Sequence, residues 1–121
     1  MKFRLAVIAA VFLSGTLPAL AHHSFAMFDR DKEVKLAGQV REFQWTNPHI
    51  WIELTVLVKG KAVNYSIEGP SPNALTRRGW KRTAFKAGDK VTLTVNPLKN
   101  GGPGGSLVSA IRADGSPISI R

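Results

Sequence analysis

Cysteine is absent from this chain, and acidic residues are scarce, with 8 Asp and Glu against 17 Lys and Arg. Without thiols a protein forms no disulfide bond, so a small fold depends on the burial of apolar side chains alone. Zinc ribbons and thiol-redox sites are excluded for the same reason, because both require cysteine. The composition therefore indicates a small, strongly basic protein without covalent cross-links.

Long apolar runs are also rare, and the one present lies at the amino terminus. It covers Leu5–Leu13, after a basic start and before the small-residue sequence Ala19-Leu20-Ala21. Such a run is too short to span a bilayer. The pattern predicts a signal peptide at residues 1–21, cleaved after Ala21, and a periplasmic mature chain that begins at His22 and has no transmembrane segment. An uncleaved membrane anchor is the alternative.

Removal of residues 1–21 leaves 100 residues, which fits one domain. We expect an N-terminal arm at 22–32, docked through Phe25, Met27 and Phe28, and a barrel domain at 33–121.

The mature chain keeps 15 basic and 8 acidic residues, a net charge of +7, because the signal peptide contains two of the basic residues. Outside the cytoplasm the abundant polyanions are lipid headgroups, lipopolysaccharide and cell-wall polymers. The charge thus favours an anionic envelope polymer, or another exported protein, over nucleic acid as the partner. Ordinary solubility charge is the alternative.

Five segments alternate apolar and polar residues with the period of two that a half-buried strand requires. They are residues 33–45, 49–59, 62–68, 90–96 and 107–113. A short helix is predicted at Pro72–Arg78, between the third and fourth strands, because Ser71 can cap its first turn and Pro72 suits the first helical position. This order predicts a mostly β protein with the small five-stranded, partly open barrel of OB-like folds. A two-sheet sandwich is the alternative.

Glycine and proline mark the expected turns and bends. Lys59-Gly60-Lys61 predicts a hairpin between the second and third strands, and Asn47-Pro48 predicts a turn between the first and second. Gly38, inside the first strand, suggests a bulge or a tight bend where the sheet closes on itself. The segment 100–105 contains four glycines and predicts a flexible loop before the fifth strand.

All three histidines lie in the predicted mature chain, at His22, His23 and His49. A free amine with an imidazole on the same or the next residue can chelate a metal ion, and His49 can add a further nitrogen if the arm folds back. Nitrogen-only sites favour copper, then nickel and zinc. Copper binding is therefore one hypothesis. The alternative is that His22 and His23 form a polar leader and that His49 packs against Trp45 or Trp51.

Basic residues are densest around Trp80, and we call them the basic cluster: Arg77, Arg78, Lys81, Arg82 and Lys86. Arginine beside an aromatic ring suits an anionic ligand that also offers a ring or sugar face. The alternative is a solvated face on which Trp80 covers one end of the barrel. The predicted ligand contacts are Arg77, Arg78, Trp80, Lys81 and Arg82, together with Trp45, Asn47 and Trp51 at the turn before the second strand.

No complete set of nucleophile, base and stabilising group is evident in the sequence, so we predict that the protein is not an enzyme. The candidate acids Glu42, Glu53, Glu68 and Asp89 lie outside any recognisable motif. Glu53 shares a strand face with His49 and is the only acid with a plausible histidine neighbour. A small hydrolase-like enzyme is the alternative that this pairing leaves open.

Four segments of the mature chain form a recognisable set. They are His22-His23-Ser24-Phe25, Trp45-Thr46-Asn47-Pro48-His49-Ile50-Trp51, Ser71-Pro72-Asn73-Ala74-Leu75 with Arg78-Gly79-Trp80, and Lys86-Ala87-Gly88-Asp89. With these segments the chain resembles a family of short exported bacterial proteins known only as a domain of unknown function. The resemblance covers nearly the whole mature chain and implies export to the periplasm, a small β-barrel and no established activity. We therefore predict an exported binding or accessory module, with copper binding and a hydrolase-like activity as alternatives.

Overall fold

The computed structural model describes residues 25–118 and 120, which are mostly β-strand. Within these residues a 3₁₀ turn at Phe25–Met27 precedes the following elements: β1 Val34–Gln44, β2 Trp51–Val58, β3 Lys61–Glu68, α1 Pro72–Thr76, β4 Lys90–Pro97, β5 Gly104–Arg112 and β6 Pro117–Ile118. The prediction of a mostly β protein with one short helix between the third and fourth strands is confirmed. Neither helical element of the described chain has the length and hydropathy needed to cross a membrane. The predicted signal peptide at 1–21 lies outside the described residues.

The strands β1 to β5 close into a barrel. β2 pairs with β1 and β3, and β4 pairs with β1 and β5, all in antiparallel orientation. The barrel closes where Ser66–Glu68 of β3 pairs in parallel with Gly104–Ser106 of β5, a short pairing that we call the closing seam. This strand arrangement is that of an OB-like barrel, which confirms the predicted fold over the two-sheet sandwich.

β5 begins earlier than the alternating pattern predicts, so Gly104 and Gly105 belong to the strand and the predicted loop is shorter. A Cβ atom on Gly105 would lie 2.8 Å from the carbonyl oxygen of Asn96, and one on Gly104 would lie 3.0 Å from that of Ser66. Glycine therefore lets β5 approach both neighbouring strands at the closing seam. This tertiary requirement overrides the weak intrinsic preference of glycine for strands.

The barrel interior is filled by the apolar residues of the alternating pattern. Ile50, Ile52 and Leu54 are fully buried, as are Ile67 of β3 and Leu93 of β4. Their burial confirms the predicted inward face of β2. Each such side chain contributes roughly 1.5–3 kcal/mol of transfer free energy, so these positions dominate the stability of a domain that has no cross-links.

A short helix and two aromatic residues cover part of this core. The side-chain oxygen of Ser71 accepts a hydrogen bond from the N–H of Ala74 at 3.2 Å, as predicted for the helix cap. The helix ends at Thr76, short of its predicted end. Trp80 and Phe85 then return to the core, where they are 4% and 3% exposed and their ring centroids lie 5.6 Å apart. The segment between α1 and β4 is therefore anchored at two points.

The described part of the N-terminal arm lies against the end of β4. Phe28 is 5% exposed and forms a β-bridge with Leu98. The N–H of Asp29 donates to the carbonyl oxygen of Pro97 at 2.8 Å. Phe28 thus docks the arm as predicted, whereas Met27 is 41% exposed.

Gly38 permits a close approach between β1 and β2. The irregularity predicted there occurs instead between Val40 and Glu42, where the register of the two strands shifts. A Cβ atom on Gly38 would lie 2.4 Å from the carbonyl oxygen of Thr55. A Gly38→Ala variant is expected to lose at least about 1 to 3 kcal/mol of unfolding free energy. The clashing oxygen belongs to the backbone of a paired strand, so it cannot shift without disturbing the strand pairing. Urea unfolding measures this loss.

Gly102→Ala is the matched control for that substitution. The nearest atom to a Cβ on Gly102 is Oδ1 of Asn100, a side-chain atom that can shift at the cost of the exposed hydrogen bond it accepts from the Gly102 N–H. We expect Gly102→Ala to lose much less unfolding free energy than Gly38→Ala. Equal losses would contradict the role of Gly38 in the close approach of β1 and β2.

Candidate functional site

The basic cluster lies in the segment that joins α1 to β4, and all five of its side chains are exposed. Backbone hydrogen bonds order the start of this segment, because the N–H groups of Arg78 and Trp80 both donate to the Leu75 carbonyl oxygen, at 2.9 and 3.1 Å. The buried rings of Trp80 and Phe85 fix the segment to the core. The cluster therefore lies on an ordered base and not on a free loop.

Trp80 does not present its ring to solvent. It is 4% exposed and packs against Phe43 and Phe85, with ring centroids 6.4 and 5.6 Å away. A ring in this position cannot stack on an external ligand without rearrangement. The burial favours the second interpretation of the sequence, in which Trp80 covers the core and the charged side chains surround it.

A cleft of about 360 Å³ beside the cluster is lined by the basic residues Arg78, Lys81 and Arg112. Arg112 was missed by the sequence analysis, because it lies on β5, far along the chain. Its Nη1 donates to the carbonyl oxygen of Ala84 at 2.9 Å, and its guanidinium carbon lies 5.6 Å from the centroid of the Phe85 ring. These contacts hold Arg112 in place and extend the positive surface.

None of the five side chains of the cluster forms an ion pair with a described residue. Within residues 25–118 and 120, ion pairs join Lys32 to Asp29 and His49 to Glu68, and neither involves the cluster. The cleft lined by Arg78, Lys81 and Arg112 has no acidic residue among its described lining residues. Uncompensated positive charge around a cleft attracts anions, so this surface is suited to an anionic partner.

Two acids border the cluster on the side of β4 and β5. Asp89 and Asp114 line a neighbouring cleft together with Lys86 and Arg112. A hydrogen bond from the Ser116 side chain lowers the pKa of Asp114, and the backbone N–H of Ser116 and the charge of Arg112 act in the same direction. Asp114 is therefore ionised at neutral pH and limits the positive surface on that side.

The turn between β1 and β2 places the other predicted ligand contacts. Asn47 is exposed and precedes a cis peptide bond to Pro48. Trp45 is half-buried and packs edge-on against Phe43 with the ring centroids 5.9 Å apart, whereas Trp51 is half-buried at the start of β2. No hydrogen bond, ion pair or ring contact within the described chain joins these side chains to those of the basic cluster. The two sets of predicted contacts are linked only indirectly, because Trp45 and Trp80 both pack against the ring of Phe43.

His49 is held on two sides immediately before β2. Its Nδ1 lies 3.1 Å from the carbonyl oxygen of Gly69, and its Nε2 lies 3.4 Å from Oε1 of Glu68. His49 and Glu68 line a cleft of about 240 Å³ beside the closing seam, which we call the His49–Glu68 cleft. Its other polar side chains are those of Arg30, Arg78, Asn96 and Ser106.

The expected pairing of Glu53 with His49 is wrong. Glu53 lies opposite Ser66 in the β2–β3 ladder and accepts hydrogen bonds from Asn64 Nδ2 at 2.6 Å and from Ser66 Oγ at 2.8 Å. His49 precedes the ladder and contacts Glu68 instead. The polar contacts of Glu53 are therefore made with Asn64 and Ser66 on the paired strand, and not with His49 further along its own chain segment.

In the described part of the chain, no group of three or more His, Cys, Asp or Glu side chains is arranged to hold a metal ion. His49 shares its cleft with the guanidinium groups of Arg30 and Arg78, which disfavour a bound cation. His22 and His23 lie outside the described residues. Copper binding through these histidines therefore stays a prediction.

The chain matches the sequence model of a family of unknown function (DUF6152) over residues 10–107. The matched range includes the turn before β2, the basic cluster and the start of β5, but it ends before Arg112. The match confirms the resemblance inferred from the four sequence segments. No curated protein and no solved structure matches the chain. The functional interpretation therefore depends on the chemistry of the sites themselves.

Proposed function

We propose that this chain, which belongs to the family of unknown function (DUF6152), is an exported, non-catalytic module that binds an anionic polymer of the cell envelope. The observation that supports this proposal is the arrangement of the basic cluster. Five exposed basic side chains occur within ten residues, on a base anchored by Trp80 and Phe85, and none forms an ion pair with a described residue. Arg112 extends the same surface.

A polymer suits this surface better than a small anion does. Exposed charges are screened within roughly 8 Å at physiological ionic strength, and a single exposed ion pair contributes only about 0 to 1 kcal/mol. Several anionic groups on one polymer bind together, because each contact after the first is intramolecular. We therefore expect useful affinity only for a partner that carries repeated negative charges, and we expect that affinity to fall steeply with added salt.

Replacing Arg77, Arg78, Lys81 and Arg82 together with glutamine is expected to abolish retention on immobilised heparin and on immobilised lipopolysaccharide at physiological salt. All four side chains are exposed, so the thermal midpoint should fall only by the loss of the hydrogen bond that Arg78 Nη1 donates to the Ile120 carbonyl oxygen. Elution by a salt gradient measures retention, and calorimetry checks the fold.

The control removes four basic residues outside the cluster, by replacing Lys35, Arg41, Lys61 and Lys99 with glutamine. These residues are also exposed, so the two variants lose the same net charge. We expect the control to keep most of its retention. Equal loss in both variants would show that only the net charge matters, and undiminished retention of the cluster variant would remove the cluster from the proposal.

Copper(II) binding through the mature N-terminus is a second candidate function. One observation favours it: Arg30 of the arm and His49 line the same cleft, so the arm passes beside His49 as the hypothesis requires. The guanidinium groups in that cleft oppose a cation. The amine and imidazole expected at His22 would therefore supply most of the affinity, and His49 a minor part.

A further inference from the structure

The His49–Glu68 cleft contains chemistry that polymer binding does not use. Glu68 and Asn96 are 5% and 8% exposed and lie in this cleft beside the buried Leu107. Arg30 and Arg78 line the same cleft but are exposed. The cleft thus combines acceptor oxygens from two largely buried residues with positive charge on its solvent side.

Glu68 and Asn96 each keep a side-chain oxygen that lacks a good hydrogen-bond donor among the described residues. Among the described residues, the Glu68 carboxylate has one polar contact, to His49 Nε2. At 3.4 Å this contact is longer than the roughly 2.7–2.9 Å of a good charge-assisted hydrogen bond. Asn96 donates through Nδ2 to the carbonyl oxygen of Lys32 at 2.8 Å, which leaves its Oδ1 without a donor from the described chain. Among the described residues only Asn64 Oδ1 is both buried and without a partner, so the free oxygens of Glu68 and Asn96 open onto the cleft and can accept from a ligand that brings N–H donors.

The charges of the cleft limit which ligand can bring those donors. A primary ammonium offers three donors and complements the Glu68 carboxylate, but a simple amine or a metal ion would also meet the guanidinium groups of Arg30 and Arg78. A simple anion would meet the carboxylate of Glu68. A ligand with both charges avoids each conflict, because its own carboxylate can bind the guanidinium of Arg78.

We infer that the His49–Glu68 cleft is a second binding site, for a small zwitterion that carries a primary ammonium and a carboxylate. The ammonium binds between Glu68 and Asn96, and the carboxylate faces Arg30 and Arg78. The cleft volume of about 240 Å³ suits a ligand smaller than those of drug-sized pockets, which occupy roughly 300–1,000 Å³. Amino acids and short peptides belong to this class. The inference does not depend on polymer binding.

A matched set of small molecules tests the inference on the unaltered mature protein. The probes are 4-aminobutyrate, with both charges, butyrate, with the carboxylate alone, and butylamine, with the ammonium alone. Glycine and 6-aminohexanoate vary the separation of the two charges. We expect the best zwitterion to bind at least about tenfold more tightly than either single-charge probe, since each loses one charge-assisted contact. NMR titration should show saturable shifts at the amides of Gly69 and Ser106, which border the cleft.

Three single variants assign the contacts. Glu68→Gln should weaken binding of the zwitterion and strengthen binding of butyrate, which no longer meets the Glu68 carboxylate, so the preference for the zwitterion should disappear. Arg78→Gln should weaken both ligands, and Lys61→Gln, a charge loss outside the cleft, should change neither. Glu68→Gln should also leave heparin retention intact, so failure of this inference is distinguishable from failure of polymer binding. Equal affinities for 4-aminobutyrate, glycine and butyrate, or no saturable shift with any zwitterion, would overturn the inference whatever the variants do.

Discussion

A Trp80→Ala variant is expected to lose about 3 to 5 kcal/mol of unfolding free energy, the usual range for removing a large aromatic side chain from a core. Trp80 is 4% exposed and packs against the rings of Phe43 and Phe85, so truncation leaves a cavity bordered by two aromatic residues. A small domain has only about 5 to 15 kcal/mol of stability in total. One substitution should therefore remove a large share of it. Denaturant unfolding followed by circular dichroism measures the loss.

Trp51→Ala provides the matched control. Trp51 is half-buried at the start of β2 and has no ring contact with another described aromatic residue. Its truncation should cost about 1 to 2 kcal/mol, because less apolar area is returned to water. The Trp80 variant should also elute from heparin at lower salt, since the basic cluster loses its anchor, whereas the Trp51 variant should not. Equal losses of stability in the Trp80 and Trp51 variants would contradict the role of Trp80 as the anchor of the basic cluster.

The barrel could be predicted from the sequence because side-chain alternation reports directly on which face of a strand is buried. Ile50, Ile52 and Leu54 lie inward, as their spacing predicts. The cap at Ser71 follows from the same kind of local rule, because the capping oxygen and its N–H partner are only three residues apart. Short-range patterns of this kind need no knowledge of the tertiary structure.

The His49–Glu68 cleft and the cleft beside the basic cluster depend on contacts between distant segments of the chain. Local sequence patterns do not reveal such contacts. The contact of His49 with Glu68 could have been inferred from strand register. The Lys59-Gly60 turn pairs residues at equal distances on its two sides, which places Glu68 opposite Trp51. No comparable signal existed for Arg112, because its position beside the basic cluster requires the β4–β5 pairing and the return of the chain to the core.

The second prediction with a large expected effect concerns copper(II) and the mature N-terminus. If cleavage follows Ala21, His22 carries a free amine and an imidazole on one residue, and this pair forms a chelate with copper(II). His49 is a weaker candidate ligand. Its Nδ1 lies 3.1 Å from the Gly69 carbonyl oxygen, and two guanidinium groups share its cleft. The chelate at His22 should therefore dominate the affinity.

Adding the four residues Gly-Ser-Gly-Ser ahead of His22 moves the free amine out of reach of both imidazoles and removes that chelate. We expect the extended protein to bind copper(II) roughly a hundredfold more weakly than the mature form, whereas His49→Ala should cost less than about tenfold. Calorimetric titration of the three proteins with copper(II) gives the affinities, and mass spectrometry of the exported protein gives the cleavage site. Equal affinity in all three proteins, or cleavage at another residue, would reduce His22 and His23 to a polar leader. A larger loss in His49→Ala than in the extended protein would instead place the metal in the His49–Glu68 cleft, against the electrostatic argument from Arg30 and Arg78.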